Sequence, residues 1–337
     1  MRNFDEGRYL RIESGAVALA GPLDRLIKGE ISNGVENIFF SGTGGVAFLM
    51  QPAVELLQAR SNFPTYTVKA AELVLTDHVH LNNRSLIIFP SVSGTTKESI
   101  AAMNFAKKKG AKVLCLTGQE NSPLASGADH NFSNFVEDDT SSESFYLQSL
   151  FIALSIMDNF KEIENYKEII SEIELLPNLL IEVKRAFEPF AKKFADEIAN
   201  EQNHIFTGAG GAWHEAWYYA MCILEEMQWI WTRPVHASDF FHGTLELVEK
   251  DTSLIIFKGE DAARPLVDRV ERFARTISEK VRVFDTKDFL LPGISDATRS
   301  YLSPVILAAI FERVSAHLEI IRDHPLTTRR YYKKTDL

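Results

Sequence analysis

Predicted strands and helices alternate along this chain, and the clearest example lies at residues 86–100. There the apolar run Leu86–Phe89, rich in branched side chains, predicts a buried strand, and the residues from Lys97 onward predict a helix. Alternation of this kind favours a parallel sheet, because parallel neighbours are joined by a crossover helix. The sequence therefore predicts an α/β fold in which helices cover both faces of a parallel sheet.

The first half of the chain repeats this alternation. We predict strands at Val35–Ser41, Thr65–Val68, Ser85–Phe89 and Lys112–Leu116, and helices at Ala47–Gln58, Lys97–Lys109 and Ser122–Ala128. A ligand crevice is expected at the carboxyl ends of such strands.

The second half resembles the first. Phe40–Gly45 recurs as Phe206–Gly211, Ala70–Leu73 has a counterpart in Ala237–Phe240, and strand-like Ser253–Phe257 and Lys280–Phe284 follow. Two pairs of similar segments that occur in the same order in both halves indicate an internal duplication.

This duplication predicts a division of the chain into four parts. Residues 1–165 are expected to form a first domain that binds phosphate, and residues 201–322 a second domain that carries acid–base residues. Residues 166–200 are charged, poor in Gly and Ser, and interrupted by Pro177, which predicts a helical connector in two pieces. Residues 323–337 form a tail, either solvated or folded over the site.

The loop between the strand and helix at residues 86–100 contains Ser91, Ser93, Gly94, Thr95 and Thr96. Such a loop directs hydroxyls and free backbone N–H groups to one point, where the helix N-terminus adds about half a positive charge. This combination can hold a phosphate without a lysine. An ordinary capped turn is the alternative.

Composition excludes several classes of function. The 337 residues carry a formal charge of −10, and no basic cluster is larger than Lys107–Lys109, so nucleic acid is not an expected partner. The N-terminus lacks a signal region and no apolar run could span a bilayer, so we expect a cytoplasmic protein without a membrane partner. Cys115 and Cys222 lie in apolar runs and are expected to be buried structural thiols.

Two other motifs are poor candidates for a site. The loop Gly42–Gly45 lacks the acidic residue that a dinucleotide site needs after its second strand. The pair His78 and His80 has metal-ligand spacing but no evident third ligand, so no metal or other cofactor is expected. Four tryptophans are expected in the core rather than as a sugar platform: Trp213, Trp217, Trp229 and Trp231.

A carboxylate and an imidazole stand out in the second half. Glu225 and Glu226 end an apolar helix, and only one of them can face inward because consecutive helical residues lie about 100° apart. His242 follows two phenylalanines, a setting typical of a partly buried ring. Together the two groups could move protons at a sugar carbon and oxygen, or be a surface glutamate and a satisfied histidine. Asp239 could steer His242 or cap the local helix.

Four segments carry a resemblance to a known family: Pro90–Thr96, Glu226–Trp229, Phe240–Gly243 and His324–Tyr331. Over nearly its whole length the chain resembles proteins with two tandem SIS (sugar isomerase) domains, each a flavodoxin-like parallel sheet sandwiched by helices. It is similar to the isomerase half of glucosamine-6-phosphate synthase. It is more similar to fructosamine-6-phosphate deglycases, including the 6-phosphofructose-aspartate type.

The resemblance implies a role for the loop after the third strand. The family pattern S-x-S-G-x-T cradles the 6-phosphate of a sugar, which implies that Ser91, Ser93, Thr96 and the backbone of Val92 bind it. A first glycine loop also contacts phosphate through a serine in relatives. The matching position here is Gly44, with Ser41, Gly42 and Thr43 beside it.

The resemblance also implies the catalytic residues. The family's glutamate precedes its histidine by sixteen positions, and 242 − 226 = 16, which selects Glu226 as the base and His242 as its partner. Arg330 stands where glucosamine-6-phosphate synthase has a ring-opening lysine. An arginine cannot form a Schiff base, so we expect Arg330 to orient the substrate.

The activity implied by the resemblance is deglycation of a 6-phosphorylated fructosamine to glucose 6-phosphate and an amine. Aldose–ketose isomerisation of a phosphosugar and non-catalytic phosphosugar sensing are the alternatives. Relatives form dimers in which a histidine segment completes the partner's site, so a homodimer or higher oligomer with shared active sites is expected.

Overall fold

The computed structural model describes residues 1–134, 141–332 and 334, which form two compact units. The N-terminal unit comprises Glu6–Pro177, and the C-terminal unit comprises Asn178–Leu337 together with Met1–Asp5. The predicted connector contains two helices: Tyr166–Ile173 lies in the N-terminal unit, and Leu176–Ile198 lies in the C-terminal unit except for its first two residues.

The N-terminal unit alternates strands and helices as predicted. Its strands are β1 (Asn37–Gly42), β2 (Thr65–Lys69), β3 (Ser85–Ser91), β4 (Lys112–Thr117) and β5 (His130–Ser133). Its helices are α1 (Glu6–Ala18), α2 (Ala20–Ser32), α3 (Gly45–Phe48), α4 (Gln51–Arg60), α5 (Ala70–Thr76), α6 (Lys97–Lys108), α7 (Pro123–Gly127), α8 (Ser141–Asn159) and α9 (Tyr166–Ile173).

The five strands are all parallel and lie in the order β2-β1-β3-β4-β5. Helices α1, α2 and α4 pack around α8, and α5, α6 and α7 share a second apolar cluster that includes Phe39, Ile87 and Met103. Because both faces are covered, β1 and β3 are buried along their whole length, which explains their unbroken apolar pattern. The flavodoxin-like order confirms the predicted fold.

Two features of this unit differ from the sequence prediction. The helix predicted at Ala47–Gln58 is two helices, α3 and α4, because Pro52 occupies the first turn of α4 and favours a new start there. Strand β5 was not predicted, since it is a short, half-buried edge strand of sequence His-Asn-Phe-Ser.

The C-terminal unit repeats the arrangement with four strands. They are β6 (Asn203–Gly208), β7 (Trp231–His236), β8 (Leu254–Lys258) and β9 (Val281–Asp285), all parallel in the order β7-β6-β8-β9. The helices are α10 (Leu176–Ile198), α11 (Gly211–Tyr218), a π-helical run (Tyr219–Glu225), α12 (Glu226–Gln228), the 3₁₀ turns Thr244–Leu247 and Thr286–Asp288, α13 (Arg264–Ala274) and α14 (Asp296–Ile321).

The sheet of this unit is also covered on both faces. Val267 and Val270 of α13 pack against Leu254 and Ile256 on one face. On the other face α11 packs on α14, and Phe311 lies against Phe257 at a ring-centroid distance of 4.4 Å.

The geometry of the two glycine loops supports the internal duplication. Strands β1 and β6 each have six residues and start 203 − 37 = 166 positions apart. The glycine that begins the following helix is Gly44 in one copy and Gly210 in the other, again 166 positions apart. Their backbone angles are nearly equal, φ 67° and ψ −149° against φ 55° and ψ −143°.

Candidate functional site

The loop after β3 is held by its own hydroxyl groups. Ser91 is buried, and its Oγ accepts a hydrogen bond from the backbone N–H of Gly94 at 2.9 Å. Oγ of Ser93 lies 2.9 Å from Oγ1 of Thr95 and accepts from the Thr95 N–H at 3.3 Å. The loop is therefore a tight turn whose remaining hydroxyl hydrogens and backbone N–H groups are available to a ligand.

Gly94 is required at the centre of this turn. Its φ of +64° lies in the left-handed region, and a Cβ there would come within 1.9 Å of Oγ of Ser122. The Ser122 hydroxyl cannot easily retreat, because it caps α7 by accepting a hydrogen bond from the N–H of Ala125.

Helix α6 begins directly after the loop. Thr96 is its N-cap residue, and the Thr96 side chain makes no capping hydrogen bond. The first N–H groups of this twelve-residue helix are thus a suitable anion site. A cavity of about 530 Å³ lies beside the loop and is lined by Ser93, Thr95, the residues 118–123 and Ser133.

The first glycine loop lies at the same edge of the sheet. Strand β1 pairs with β3, and a Cβ on Gly42 would lie 3.5 Å from Cδ of Pro90. Ser41 is buried, and its Oγ has no hydrogen-bond partner among the described residues. Thr43 and Gly44 are exposed. The structure thus brings both predicted phosphate-binding segments together within the N-terminal unit.

In the C-terminal unit the corresponding glycine loop is occupied by the side chain of Asp261. Oδ2 of Asp261 accepts a hydrogen bond from the N–H of Gly211 at 2.9 Å, and Oδ1 accepts from Ala263 at 2.9 Å. A Cβ on Gly210 would lie 2.3 Å from this carboxylate, whereas a Cβ on Gly44 would meet no described atom within 4 Å. The copy in the N-terminal unit is therefore the open one.

The two adjacent glutamates make different contacts. Oε1 of Glu225 accepts hydrogen bonds from Oγ1 of Thr232 at 2.6 Å and from its N–H at 3.2 Å. Glu226 begins α12 directly after the π-helical run and pairs with Arg329, whose Nε donates to Oε1 at 2.9 Å. A π-helical insertion is frequent at functional sites. Glu225 is therefore tied to a neighbouring strand and Glu226 to the chain's tail.

Glu226 lines a cavity of about 380 Å³ in the C-terminal unit. The lining includes Glu225, Glu226, Trp229, Ile230, Trp231 and the tail residues Arg329, Arg330, Tyr331 and Tyr332. Among the described residues no hydrogen bond reaches Oε2 of Glu226. One carboxylate oxygen is thus held and the other is free to accept a proton.

Trp229 anchors the tail beside this cavity. It ends α12 in the left-handed conformation, φ 57° and ψ 35°, which is rare for a bulky residue. The guanidinium of Arg330 lies 3.9 Å from the centre of a Trp229 ring, and His324 meets Trp229 edge-on at 4.3 Å. Burial, followed by the charges of Arg322 and Arg330, lowers the pKa of His324.

His242 is exposed, which corrects the expectation of a partly buried ring. Phe240 is fully buried and Phe241 packs on Phe273, so the next residue of the turn projects outward. Asp239 is exposed as well, and the contact between the two residues is a backbone one, from the His242 N–H to the Asp239 carbonyl at 2.9 Å.

Several lesser candidates can be placed in the structure. His78 and His80 pack on Tyr66, with ring-centroid distances of 5.0 and 5.2 Å. Cys115 and Cys222 are buried free thiols, which confirms that expectation, and burial raises the pKa of Cys115 to about 12. Trp231 is 75% exposed, so its expected place in the core is wrong; it sits at the start of the outermost strand, β7.

Sequence reasoning missed Arg329. The tail motif His324–Tyr331 indicates a role for Arg330 alone. The contact to Glu226 joins residues 103 positions apart, and local spacing carries no signal for it.

A family model and curated relatives match this chain. The SIS domain model matches residues 33–157. "Fructosamine deglycase FrlB" of Bacillus subtilis (strain 168) is 30% identical over 311 residues, covering 90% of this chain and 93% of the relative. "Fructoselysine 6-phosphate deglycase" of Escherichia coli (strain K12) is 25% identical, covering 91% of this chain and 88% of the relative.

Solved structures agree in fold. A Bacillus subtilis protein described as a phosphosugar isomerase superposes with a TM-score of 0.84 at 28% identity, covering 90% of this chain and 93% of its own. A Salmonella typhimurium LT2 protein of the same description reaches a TM-score of 0.87 at 26% identity, covering 95% and 97%. The described residues contain no helix both long and apolar enough to cross a membrane. This chain therefore belongs to the SIS-domain family of enzymes that includes the fructosamine deglycases.

Proposed function

We propose that this chain cleaves a 6-phosphorylated fructosamine, a 1-amino-1-deoxyketose 6-phosphate, to glucose 6-phosphate and a free amine or amino acid. The observation that carries the proposal is the Glu226 carboxylate, which lines a cavity with one oxygen held by Arg329. The deglycase names of two curated relatives that match about nine-tenths of the chain support it.

The phosphate is anchored by the loop after β3. The hydroxyls of Ser91, Ser93 and Thr96, the backbone at Val92 and the N-terminus of α6 bind its oxygens, and the glycine loop at residues 41–44 approaches from the neighbouring strand. Binding energy at this end of the substrate, remote from the reacting carbons, holds those carbons in place for the chemistry.

Glu226 acts as the general base. It takes a proton from C1, while the C2 carbonyl oxygen gains a proton, which gives an enaminol. The proton then returns to C2. The C1–C2 double bond becomes single, the C1–N bond becomes the double bond of an imine, and the hydroxyl stays on C2. Water adds to this imine and the C1–N bond breaks, which releases the amine and leaves the C1 aldehyde of glucose 6-phosphate. Each positioned acid or base typically contributes about 10²–10⁴-fold to the rate.

His242 and Arg330 assist this sequence in the proposal. His242 is exposed and so can exchange protons with solvent, which suits a group that opens the sugar ring. Arg330 lies on Trp229 at the edge of the cavity and orients the substrate through its guanidinium. Asp239, in the same turn as His242, also contacts the substrate in this proposal.

We further propose that the protein works in the cytoplasm as a homodimer or higher oligomer with shared active sites, and that it has neither nucleic acid nor membrane as a partner. The net charge of −10 supports the absence of nucleic-acid binding.

The proposal is tested by incubating the protein with a panel of phosphorylated fructosamines and assaying both glucose 6-phosphate and the released amine. Stoichiometric formation of both supports deglycation. Conversion of fructose 6-phosphate to glucose 6-phosphate without amine release from any fructosamine would replace it by isomerisation, which the description of the solved relatives favours. Thermal stabilisation by phosphosugars with no product would indicate a sensor.

A further inference from the structure

Three of the five N–H donors of Arg329 are occupied within the C-terminal unit. Its Nε donates to Oε1 of Glu226 at 2.9 Å, and its Nη1 donates to the carbonyls of Leu326 at 2.6 Å and Thr328 at 3.0 Å. Its side chain is 19% exposed, against 41% for Glu226. The guanidinium thus links the carboxylate to the backbone of the tail, and three of its hydrogen bonds are made before any substrate arrives.

The tail that carries Arg329 is fixed on the same turn that carries Glu226. Nε2 of Gln228 donates to the carbonyl of His324 at 2.7 Å, and Nη2 of Arg322 donates to the carbonyl of Gln228 at 3.2 Å. Arg330 lies over Trp229, as described above. The turn 226–229 and the segment 322–330 therefore contact each other at several points, and Arg329 is placed against Glu226 by this packing.

We propose that Arg329 is a positioning residue for Glu226. It fixes Oε1 so that Oε2 is presented to the proton at C1 of the substrate, and this inference rests on the proposed function. The role is one of orientation: a general base displaced by about 1 Å can lose about 10²-fold in rate. It differs from the role of Arg330, an exposed residue whose guanidinium stacks on Trp229 beside the cavity.

An arginine suits this role better than a lysine. The planar guanidinium donates in several directions at once, so it can bind Glu226 and two tail carbonyls together. A lysine ammonium at the same place could keep the charge and one contact to Glu226, but it could not hold the three acceptors in one fixed geometry. We therefore expect Arg329→Lys to be intermediate between the native enzyme and Arg329→Gln.

A purely structural role for the Arg329–Glu226 ion pair predicts a different outcome. Arg329→Gln would then change the melting temperature and leave kcat and KM unchanged. The matched control is Arg185→Gln, which removes another arginine of this unit that pairs with a glutamate, Glu182, on the surface of α10. Both variants lose an ion pair with a glutamate, and Arg329 is the one of the two that binds the proposed base.

The experiment measures kcat, KM and exchange of the C1 hydrogen with solvent deuterium for native protein, Arg329→Gln, Arg329→Lys, Arg329→Ala and Arg185→Gln. We expect kcat and C1 exchange to fall about 10- to 100-fold in Arg329→Gln, with KM changed less than about threefold and Arg185→Gln unaffected. Added guanidinium should restore part of the activity of Arg329→Ala.

Other outcomes overturn the inference. A rise in KM with kcat unchanged would show that Arg329 binds substrate, and unchanged kcat and KM would show a structural pair only. Hydrogen exchange at C1 requires the base Glu226 but does not require hydrolysis of the imine. If native protein exchanges the C1 hydrogen but releases no amine, deglycation is refuted, and the Arg329 variants still test the positioning role through their exchange rates. If native protein neither exchanges the C1 hydrogen nor releases an amine, both the proposed function and the positioning role are refuted.

Discussion

Replacing each of two adjacent glutamates by glutamine should separate catalysis from stability. Glu226→Gln removes the proposed base with little change of shape. The loss of a general base lowers kcat by about 10²–10⁴-fold, or about 3–5 kcal/mol in activation free energy. Because the Glu226 side chain is 41% exposed, its ion pair with Arg329 contributes little to folding, and the melting temperature should stay within about 2 °C.

Glu225→Gln should show the opposite pattern. Glu225 accepts two hydrogen bonds from Thr232, and glutamine weakens both because a charged acceptor becomes a neutral one. We expect a loss of about 1 kcal/mol in the free energy of unfolding and a kcat lowered by less than about tenfold.

The assay pairs a coupled measurement of glucose 6-phosphate with thermal and urea denaturation of both variants. Substrate affinity for the phosphate end should be retained in Glu226→Gln, as measured by thermal stabilisation with fructose 6-phosphate. If Glu226→Gln keeps more than about a tenth of native kcat, or if Glu225→Gln is the inactive variant, the assignment of the base is refuted.

Three further predictions concern other parts of the chain. Burial lowers the pKa of His204 to about 4 from 6.5, so neutral His204 stabilises the fold above pH 6.5 and this contribution is lost as the pH falls toward 4. Between pH 7 and pH 5 the free energy of unfolding, measured by urea denaturation, should fall by about 2 kcal/mol less in His204→Gln than in native protein. An equal fall in both proteins would contradict this. Asp261→Ala should lower the free energy of unfolding by about 1–2 kcal/mol, because the N–H of Gly211 loses its acceptor; a neutral outcome by urea denaturation would show that water replaces it. Gly94→Ala should destabilise the fold by about 1–2 kcal/mol or more and abolish thermal stabilisation by fructose 6-phosphate, because its Cβ would collide with Ser122 in the left-handed region; stabilisation equal to that of native protein would argue against the phosphate loop.

The local pattern of apolar residues was enough to predict most strands of the N-terminal unit. Buried parallel strands show as continuous apolar runs, which explains why β1, β3 and β4 were predicted to within about two residues. The edge strand β2 is half-exposed and was predicted from its β-branched and aromatic residues, whereas the polar edge strand β5 was not predicted. The repeated glycine loops revealed the duplication because the same backbone turn demands glycine in both copies, at Gly44 and Gly210.

The candidate site was predictable only in part. The hydroxyl-rich loop at residues 91–96 is contiguous, so its composition and its place between a strand and a helix indicate anion binding directly. The choice of Glu226 came from its spacing to His242 in a family pattern, and its catalytic role stays a prediction. The exposure of His242 was not predicted, since which side of a turn faces solvent depends on the phenylalanines packed beneath it.

The sequence by itself determined the period of each element, the glycines that its turns require and the hydroxyls of one loop, because these depend on residues close together in the chain. The tertiary structure alone decided that Glu225 meets Thr232, that Glu226 meets Arg329, and that Asp261 fills the second glycine loop. The last two contacts join residues 103 and 50 positions apart. Their formation depends on how whole strands and helices pack, and the periodicity of side chains along one element carries no record of that packing.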